Sequence, residues 1–244
     1  MYFKYNHMSF LILVRHGQSI WNLEKRFTGW VDVDLTKKGE LEAEKAGQLI
    51  KLEKINIDHY FSSLQLRANN TLKIIQKVLN DEKSFTKSWQ LNERHYGSLT
   101  GLNTIEMSKK LGEDKVIKFR RSWDVKPDPL SKDNPNHPLN IETYKKLSKD
   151  EIPDTESLKD TYIRVIKYFE KEIKNKLIKE NVLISAHGNS IRALCKYLFK
   201  LDNKRISSLE IPTGNPLLIK FNEKLDITIC KYLDKERAND LLVF

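Results

Sequence analysis

Short apolar runs alternate with amphipathic stretches along this chain of 244 residues. Compact apolar runs favour buried strands, and apolar positions at helical spacing favour helices that cover a sheet. The pattern predicts strands at about 10–15, 58–62, 85–89, 181–186, 217–221 and 226–232. It predicts helices at about 37–53, 66–79, 104–122, 155–178 and 189–200. This order favours an α/β fold, a three-layer sandwich whose mostly parallel central sheet is covered by helices on both faces.

The segment from about 98 to 152 interrupts this alternation. It contains one amphipathic stretch and then a loop with four prolines, and it has too few apolar residues for a core of its own. We therefore expect a single domain over 1–244 with a lid-like insertion at 98–152. Residues 1–7 are polar and aromatic, and we interpret them as an N-terminal extension that the fold does not need.

Composition narrows the classes of function. The chain is 39% hydrophobic and 31% charged, which is ordinary for a soluble globular protein. The formal net charge is +10, but the lysines are spread over predicted helices and no basic motif contains interleaved aromatic residues. We therefore expect no nucleic-acid partner, although a positive field attracts small anionic substrates. The apolar stretches are too short for a membrane span, and two cysteines without paired spacing fit the cytoplasm.

Two histidines occupy equivalent positions at the ends of predicted strands. His16 follows the run at 10–15, His187 follows the run at 181–186, and a glycine comes directly after each. We expect these glycines to let the chain turn sharply into the next helix. Parallel strands end at the edge of the sheet where ligands bind, so adjacent strands would bring the two imidazoles together.

The residues around these histidines favour phosphate over metal. Two histidines and Glu93 are also compatible with zinc, but the HxH and HExxH spacings are missing. Guanidinium groups repel cations and grip phosphate oxygens, so a cluster of arginines predicts a site without metal. The arginines in these segments are Arg15, Arg67, Arg94, Arg120 and Arg121. A carboxylate beside phosphate is costly unless it carries protons, which suits Glu93 as a general acid and base.

Each of these residues also has a purely structural interpretation. A single histidine at a strand end often binds a backbone carbonyl, and a single arginine is usually solvated or paired with a carboxylate. Two equivalent histidines weaken that interpretation. We assign structural roles to His7, His59 and His137, and His95 is left between a structural role and support of its neighbours.

Longer motifs in a fixed order make the assignment sharper. They are Arg15-His16-Gly17-Gln18-Ser19-Ile20-Trp21-Asn22, Phe27-Thr28-Gly29-Trp30, Leu91-Asn92-Glu93-Arg94-His95-Tyr96-Gly97, Arg120-Arg121 and His187-Gly188-Asn189-Ser190. Together they resemble the 2,3-bisphosphoglycerate-dependent phosphoglycerate mutases of the histidine phosphatase superfamily. The similarity extends from about residue 9 to 233.

The resemblance implies a glycolytic and gluconeogenic enzyme that interconverts 3-phosphoglycerate and 2-phosphoglycerate. It implies 2,3-bisphosphoglycerate as the cofactor that primes the enzyme, without a metal. His16 would be the phosphorylated nucleophile and Glu93 the proton donor and acceptor, and His187, Arg15 and Arg67 would stabilise the transferring group. The implied substrate-binding residues are Ser19, Asn22, Thr28, Gly29, Arg94, Tyr96, Thr104, Arg120, Arg121, Gly188 and Asn189. The implied partners are small phosphorylated three-carbon acids and further copies of the chain, in a homodimer or homotetramer.

Two segments depart from the family pattern. Thr104 stands where the family has a lysine that contacts the substrate, and residues 233–244 do not match the glycine- and alanine-rich tail that closes the site. Loss of the cation weakens substrate binding unless another base, such as Lys109, reaches in. The alternatives are a histidine-type phosphatase or a mutase paralogue of low activity. A non-catalytic binding protein is the third, and it is opposed by the presence of the catalytic residues.

Overall fold

The strands are β1 Ser9–Arg15, β2 His59–Ser62, β3 Phe85–Lys87, β4 Val182–Ala186, β5 Leu217–Phe221 and β6 Ile227–Tyr232. A computed structural model describes residues 8–238 of the chain and joins these strands in the order β3-β2-β4-β1-β5-β6. Strands β1 to β4 are mutually parallel, whereas β5 is antiparallel to β1 and β6 is antiparallel to β5. The predicted α/β fold with a mostly parallel sheet and a terminal hairpin is confirmed.

The helices are α1 Ile20–Leu23, α2 Lys37–Leu52, α3 Leu66–Leu79, α4 Thr104–Leu111, α5 Glu113–Arg121, α6 Leu158–Tyr168, α7 Gly188–Leu198 and α8 Asn203–Ser208. Hydroxyl, amide and carboxylate side chains cap most of their N-termini, for example Thr36 before α2 and Ser157 before α6. The sequence did not predict α8, because this short helix buries only Ile206 and shows little periodicity.

The sheet is covered on both faces, because alternate residues of a strand point to opposite sides. Ile12 and Val14 of β1 belong to a hydrophobic cluster that includes residues of α2 and α3. Leu11 and Leu13 belong to a second cluster, which includes residues of α6 and α7. All four side chains are buried. Burial of one such side chain stabilises the fold by about 2 kcal/mol.

Two predicted helices were wrong in extent. The helix expected at 104–122 is divided into α4 and α5 by Gly112, whose φ of +87° is a conformation that L-residues rarely adopt. The helix expected at 155–178 is α-helical only over α6 and continues as a π-helical turn, Phe169–Ile173, and a 3-10 turn, Lys176–Ile178. The buried side chains of these turns extend the apolar stripe beyond the α-helix, which explains the overestimate.

The segment 98–152 buries apolar residues against the loop that contains Phe27 and Trp30. Val116 packs with Phe27, and Tyr144 packs with Trp30. The Tyr144 hydroxyl also donates a hydrogen bond to the Trp30 carbonyl at 2.5 Å. The segment therefore packs against the Phe27-Thr28-Gly29-Trp30 motif.

The extension 1–7 and the last part of the tail, 239–244, lie outside the described residues. Among residues 8–238, none of the helices is both long and apolar enough to cross a membrane.

Candidate active site

Parallel pairing brings His16 and His187 to the same edge of the sheet. Arg15 at the end of β1 pairs with Ala186 at the end of β4, so the two histidines follow side by side. The His16 N–H donates to the Ala186 carbonyl at 2.9 Å, and the imidazole centroids are 5.0 Å apart. Both rings are buried. The strand pattern predicted this juxtaposition from positions far apart in the sequence.

The glycines after the two histidines have different structural reasons. A Cβ atom at Gly17 would lie 2.1 Å from the carbonyl oxygen of Gly39, so the N-terminal turn of α2 requires a glycine here. A Cβ atom at Gly188 would make ordinary contacts, 3.6 Å from the Arg15 guanidinium. Neither glycine has a positive φ, so the turns that follow the two strands do not depend on the left-handed conformation that favours glycine. Close approach of the backbone is the reason at Gly17.

The hydrogen bonds of His16 define its tautomer. Its Nδ1 lies 2.7 Å from the Gly17 carbonyl oxygen. Because a carbonyl can only accept, Nδ1 carries the proton and Nε2 carries a lone pair. The Arg67 Nε–H donates to that Nε2 at 3.3 Å. His16 therefore presents an unprotonated nitrogen beside a guanidinium.

Burial and nearby cations keep both histidines neutral. Burial lowers the pKa of His16 well below the usual 6.5, and the positive charges of Arg67 and Arg15 lower it further. Burial, Arg67 and His16 lower the pKa of His187 in the same way. At neutral pH the His16 lone pair is therefore free of a proton.

His187 is oriented by a hydroxyl at the end of the adjacent strand. Its Nε2 lies 2.7 Å from the Ser63 hydroxyl, directly after β2. Its buried Nδ1 has no hydrogen-bond partner within residues 8–238. If Ser63 donates to Nε2, Nδ1 carries a hydrogen that an oxyanion beside His16 can accept. A buried polar atom without a partner indicates a site that a ligand completes.

Arg67 is positioned by the loop that contains Gly29 and Val31. At the start of α3 it is 1% exposed, and its guanidinium donates to the carbonyls of Gly29 and Val31 at 2.9 Å. Gln65, which precedes it, also donates to the Gly29 carbonyl at 2.9 Å and accepts from the Glu93 N–H at 2.9 Å. Gln65 thus connects the arginine to the acid–base candidate.

Glu93 lies at the same edge of the sheet and is nearly buried. Its Oε1 accepts from the backbone N–H groups of Arg94 at 2.7 Å and Asn189 at 3.2 Å. Oε2 lies 3.7 Å from the position of a Cβ atom built on Gly188. One oxygen is therefore fixed by the backbone, which leaves the other oxygen for a reacting group.

A buried ion pair holds the loop that carries Glu93. Arg164 of α6 and Glu156 have side chains 8% and 5% exposed, and they make two hydrogen bonds of 2.6 and 2.9 Å. The guanidinium also donates, at 2.7–3.0 Å, to three carbonyls of the loop, those of Gln90, Asn92 and Glu93. Glu156 accepts from the His95 N–H at 2.8 Å. No sequence pattern indicated this pair, because nothing in a helical stripe identifies a distant loop as its partner.

A cavity of about 100 Å³ has His16 in its wall. Ten of the residues predicted for the site line it, namely Arg15, His16, Asn22, Thr28, Gly29, Arg67, Glu93, Tyr96, Thr104 and Arg120. Its other lining residues are Arg26 and Phe27. The wall contains four guanidinium groups and a single carboxylate, so it attracts small anions.

The remaining predicted residues lie beside this wall. Asn189 donates from its side chain to the Tyr96 hydroxyl at 3.1 Å, and Ser19 caps α1 by accepting from the Asn22 N–H at 3.2 Å. Arg94 is fully buried, stacks on Tyr96 and donates to the Phe119 carbonyl at the end of α5. These contacts position groups of the wall.

Two further arginines, the predicted Arg121 and the unpredicted Arg192, contact neighbours outside the wall. Arg121 forms an ion pair with Glu210. Arg192, which sequence reasoning missed, is 3% exposed and donates to the Asn189 side chain at 2.9 Å. Burial and the neighbouring cations Arg94 and Arg121 lower the Arg192 pKa to about 10. Arg192 thereby orients Asn189 toward Tyr96.

The other described histidines make local contacts. His59 and His137 each bind a carboxylate, that of Glu180 at 2.9 Å and that of Asp154 at 3.0 Å. His95 accepts from the Gly97 N–H at 2.9 Å, and burial lowers its pKa to about 3. His7 lies outside the described residues. Across residues 8–238, no group of three or more His, Cys, Asp or Glu side chains is arranged to hold a metal ion.

Known proteins with similar sequences identify the family. The model of the histidine phosphatase superfamily (branch 1) matches residues 11–137 and 130–225. A 2,3-bisphosphoglycerate-dependent phosphoglycerate mutase of Pelagibacter ubique is 68% identical over 238 residues, which cover 97% of this chain and 100% of that protein. A protein of the same name from a Caulobacter species is 48% identical, and the match covers 96% of this chain and 98% of that protein. The chain belongs to the 2,3-bisphosphoglycerate-dependent phosphoglycerate mutases.

Solved structures share the fold of this family member. The phosphoglycerate mutase of Bacillus anthracis has a TM-score of 0.67 at 19% identity, with 95% of each chain covered. A mycobacterial glucosyl-3-phosphoglycerate phosphatase with bound VO3 has a TM-score of 0.66 at 20% identity, covering 86% of this chain and 92% of that one. At these identities the likeness shows the fold alone.

The structure also locates the position at which this mutase departs from the expected motif. Thr104 begins α4 and lines the cavity. Lys109, the base considered as a replacement, is exposed near the end of the same helix, and the cavity wall does not include it. Arg26, whose backbone pairs with Asn103, belongs to the same wall.

Proposed function

We propose that this chain interconverts 3-phosphoglycerate and 2-phosphoglycerate by transferring a phosphoryl group through His16. One observation carries the proposal: the unprotonated Nε2 of a buried histidine faces a cationic cavity that also contains one carboxylate. An intramolecular phosphotransferase needs a nucleophile, stabilising cations and a group that moves a proton, and the wall supplies all three.

The first step uses the His16 lone pair. Nε2 attacks phosphorus, an N–P bond forms, and the bond between phosphorus and the substrate oxygen breaks. The Nδ1–H bond to the Gly17 carbonyl stabilises the imidazole ring as it becomes cationic. Arg67, Arg15 and His187 then stabilise the charge on the phosphoryl oxygens, a role supported by the Arg67 contact to His16 and by the unpartnered Arg15 Nε and His187 Nδ1.

Glu93 handles the proton. As a general acid it protonates the oxygen that leaves phosphorus. As a general base it accepts the proton of the hydroxyl that attacks the phosphohistidine in the next half-reaction, in which the N–P bond breaks. Its Oε1 is held by two backbone N–H groups, so Oε2 is the oxygen that exchanges the proton.

The residues of the cavity fit 2,3-bisphosphoglycerate, an acid with two phosphate groups. The buried Nε of Arg15 and the Nδ1 of His187 lack partners within the described part of the chain, and anionic oxygens would satisfy both. Arg26 and Arg120 provide further cations in the same wall. When bound, 2,3-bisphosphoglycerate supplies the phosphoryl group that primes His16.

The experiment combines labelling with turnover. After incubation with 2,3-bisphosphoglycerate, mass spectrometry should find an acid-labile phosphate on His16, and an enolase-coupled assay should detect 2-phosphoglycerate. His16→Ala should abolish both. His59→Ala, at the start of β2, is the matched control and should retain them.

Released phosphate is measured in the same samples. Isomerisation faster than phosphate release supports the mutase, whereas the reverse ratio would show that the chain is mainly a phosphatase. Turnover that persists in His16→Ala would refute the mechanism.

The single domain and the homodimer or homotetramer stay predictions, and sedimentation of the purified protein tests the oligomeric state.

A further inference from the structure

Arg26 lies in the wall of the cavity next to Thr104. The segment containing Arg26 is paired with the segment that enters α4: Arg26 and Asn103 form an antiparallel bridge, and the Thr104 N–H donates to the Lys25 carbonyl at 2.7 Å. Both side chains contribute to the wall that contains His16. The backbone therefore holds Arg26 next to the segment whose wall residue, Thr104, carries only a hydroxyl.

The Arg26 side chain is held along one edge and open along the other. Its Nε donates to Glu24 at 2.7 Å, its Nη1 donates to the Gly101 carbonyl at 2.8 Å, and its guanidinium lies 5.9 Å from the centre of the Trp21 ring. Nη2 has no hydrogen-bond partner among residues 8–238, and the side chain is 45% exposed. A pre-oriented guanidinium with a free edge is suited to grip a carboxylate or phosphate.

The charges of the wall divide into two groups. Arg15 and Arg67 adjoin the histidines, since Arg15 immediately precedes His16 and Arg67 donates to it. A substrate with a negative group at each end also needs a cation away from His16. Arg26 and Arg120 are the other guanidinium groups of this wall. Of the two, Arg26 pairs through its backbone with Asn103, the residue before Thr104.

We propose that Arg26 binds the anionic group of the substrate that is not transferred, and that it supplies the positive charge absent at Thr104. The inference rests on the proposed function, because it takes a phosphorylated three-carbon acid as the ligand. Arg26 is thus a specificity-determining residue: it favours substrates with a second anionic group over simple phosphate monoesters.

Binding can be measured without turnover in a His16→Ala background. Isothermal titration calorimetry with 3-phosphoglycerate should show a dissociation constant about 10- to 100-fold higher after Arg26→Gln, because a charged hydrogen-bonding partner is lost. Thr104→Lys in the same background should change it by less than about threefold, since the site already holds a cation. Arg205→Gln, an exposed site on α8, is the matched control and should have no effect.

The double variant separates charge from structure. Arg26→Gln combined with Thr104→Lys should restore the dissociation constant to within about threefold of the parent, which a merely structural role of Arg26 would not allow. The unchanged melting temperature of Arg26→Gln should confirm intact folding. In the active enzyme, Arg26→Gln should raise KM much more than it lowers kcat.

Two results would overturn the proposal. One is equal affinity of Arg26→Gln and the parent for 3-phosphoglycerate, with parent binding intact; this refutes the role of Arg26 alone. The other is a tenfold gain in affinity from Thr104→Lys alone, which would show that no cation serves that position. Failure of the parent to bind 3-phosphoglycerate would refute the proposed function together with this inference.

Discussion

The buried pair of Arg164 and Glu156 offers a direct test of how the loop that carries Glu93 is held. Replacing Arg164 with methionine keeps the approximate length of the side chain and removes its charge. The change leaves the Glu156 carboxylate buried without a counter-charge and three loop carbonyls without their donor. Both losses act on the same loop.

The size of the effect follows from burial. Removing one partner of a buried, hydrogen-bonded ion pair costs about 3–5 kcal/mol, and these side chains are 8% and 5% exposed. For a chain of this size about 1 kcal/mol shifts the melting temperature by roughly 2–4 °C, so Arg164→Met should lower it by roughly 6–20 °C. Differential scanning calorimetry of the purified variant measures this shift.

The control is an ion pair between a loop residue and the same helix, α6. Lys126 and Asp160 form an exposed pair at 3.5 Å, and such pairs contribute at most about 1 kcal/mol. Lys126→Met should therefore melt within a few degrees of the unaltered protein. The comparison separates burial from the mere presence of an ion pair.

Activity adds a second readout, because the pair acts on the backbone of Glu93. At a temperature where Arg164→Met is folded, kcat should fall more than KM rises. Replacing both Arg164 and Glu156 with methionine should recover part of the stability, since no charge stays buried, yet it should not recover kcat. Melting of Arg164→Met within about 2 °C of the unaltered protein, together with an unchanged kcat, would refute the positioning role.

Further predictions concern pH and backbone contact. Burial lowers the pKa of His16 and His187 well below 6.5 and that of His95 to about 3, whereas the unfolded chain takes up these protons near pH 6.5. On acidification the unfolded state therefore binds more protons than the folded state. As the pH falls from 6.5 to 5.5, the three histidines together should lower the free energy of unfolding by about 3 kcal/mol. Urea titrations measure this, and a constant midpoint would contradict it. Gly17→Ala should destabilise the protein by about 3 kcal/mol, because the carbonyl it meets cannot move freely. Gly188→Ala should fold normally; equal melting temperatures for the two variants would disprove the steric explanation.

The sequence by itself predicted most of the strands and helices and a candidate nucleophile, His16. Strands such as β1 and β4 and helices such as α2 and α3 follow from local apolar patterns, because a residue's side of a strand or helix depends only on its spacing. The glycine-flanked histidines and the longer motifs then identified His16 and His187. Local periodicity failed at α6, where the stripe continued through a π-helical turn.

Tertiary structure decided what surrounds His16. The Gly17 carbonyl sets the tautomer of His16, and Arg164 reaches the Glu93 loop from a distant helix. Arg26 is a candidate substrate-binding residue because its segment pairs with Asn103, directly before α4. Such contacts depend on how separate elements pack against each other, and their sequence separation leaves no periodic signal. The motifs therefore indicated the candidate residues of the site, whereas the tautomer of His16, the support of the Glu93 loop and the position of Arg26 depend on packing.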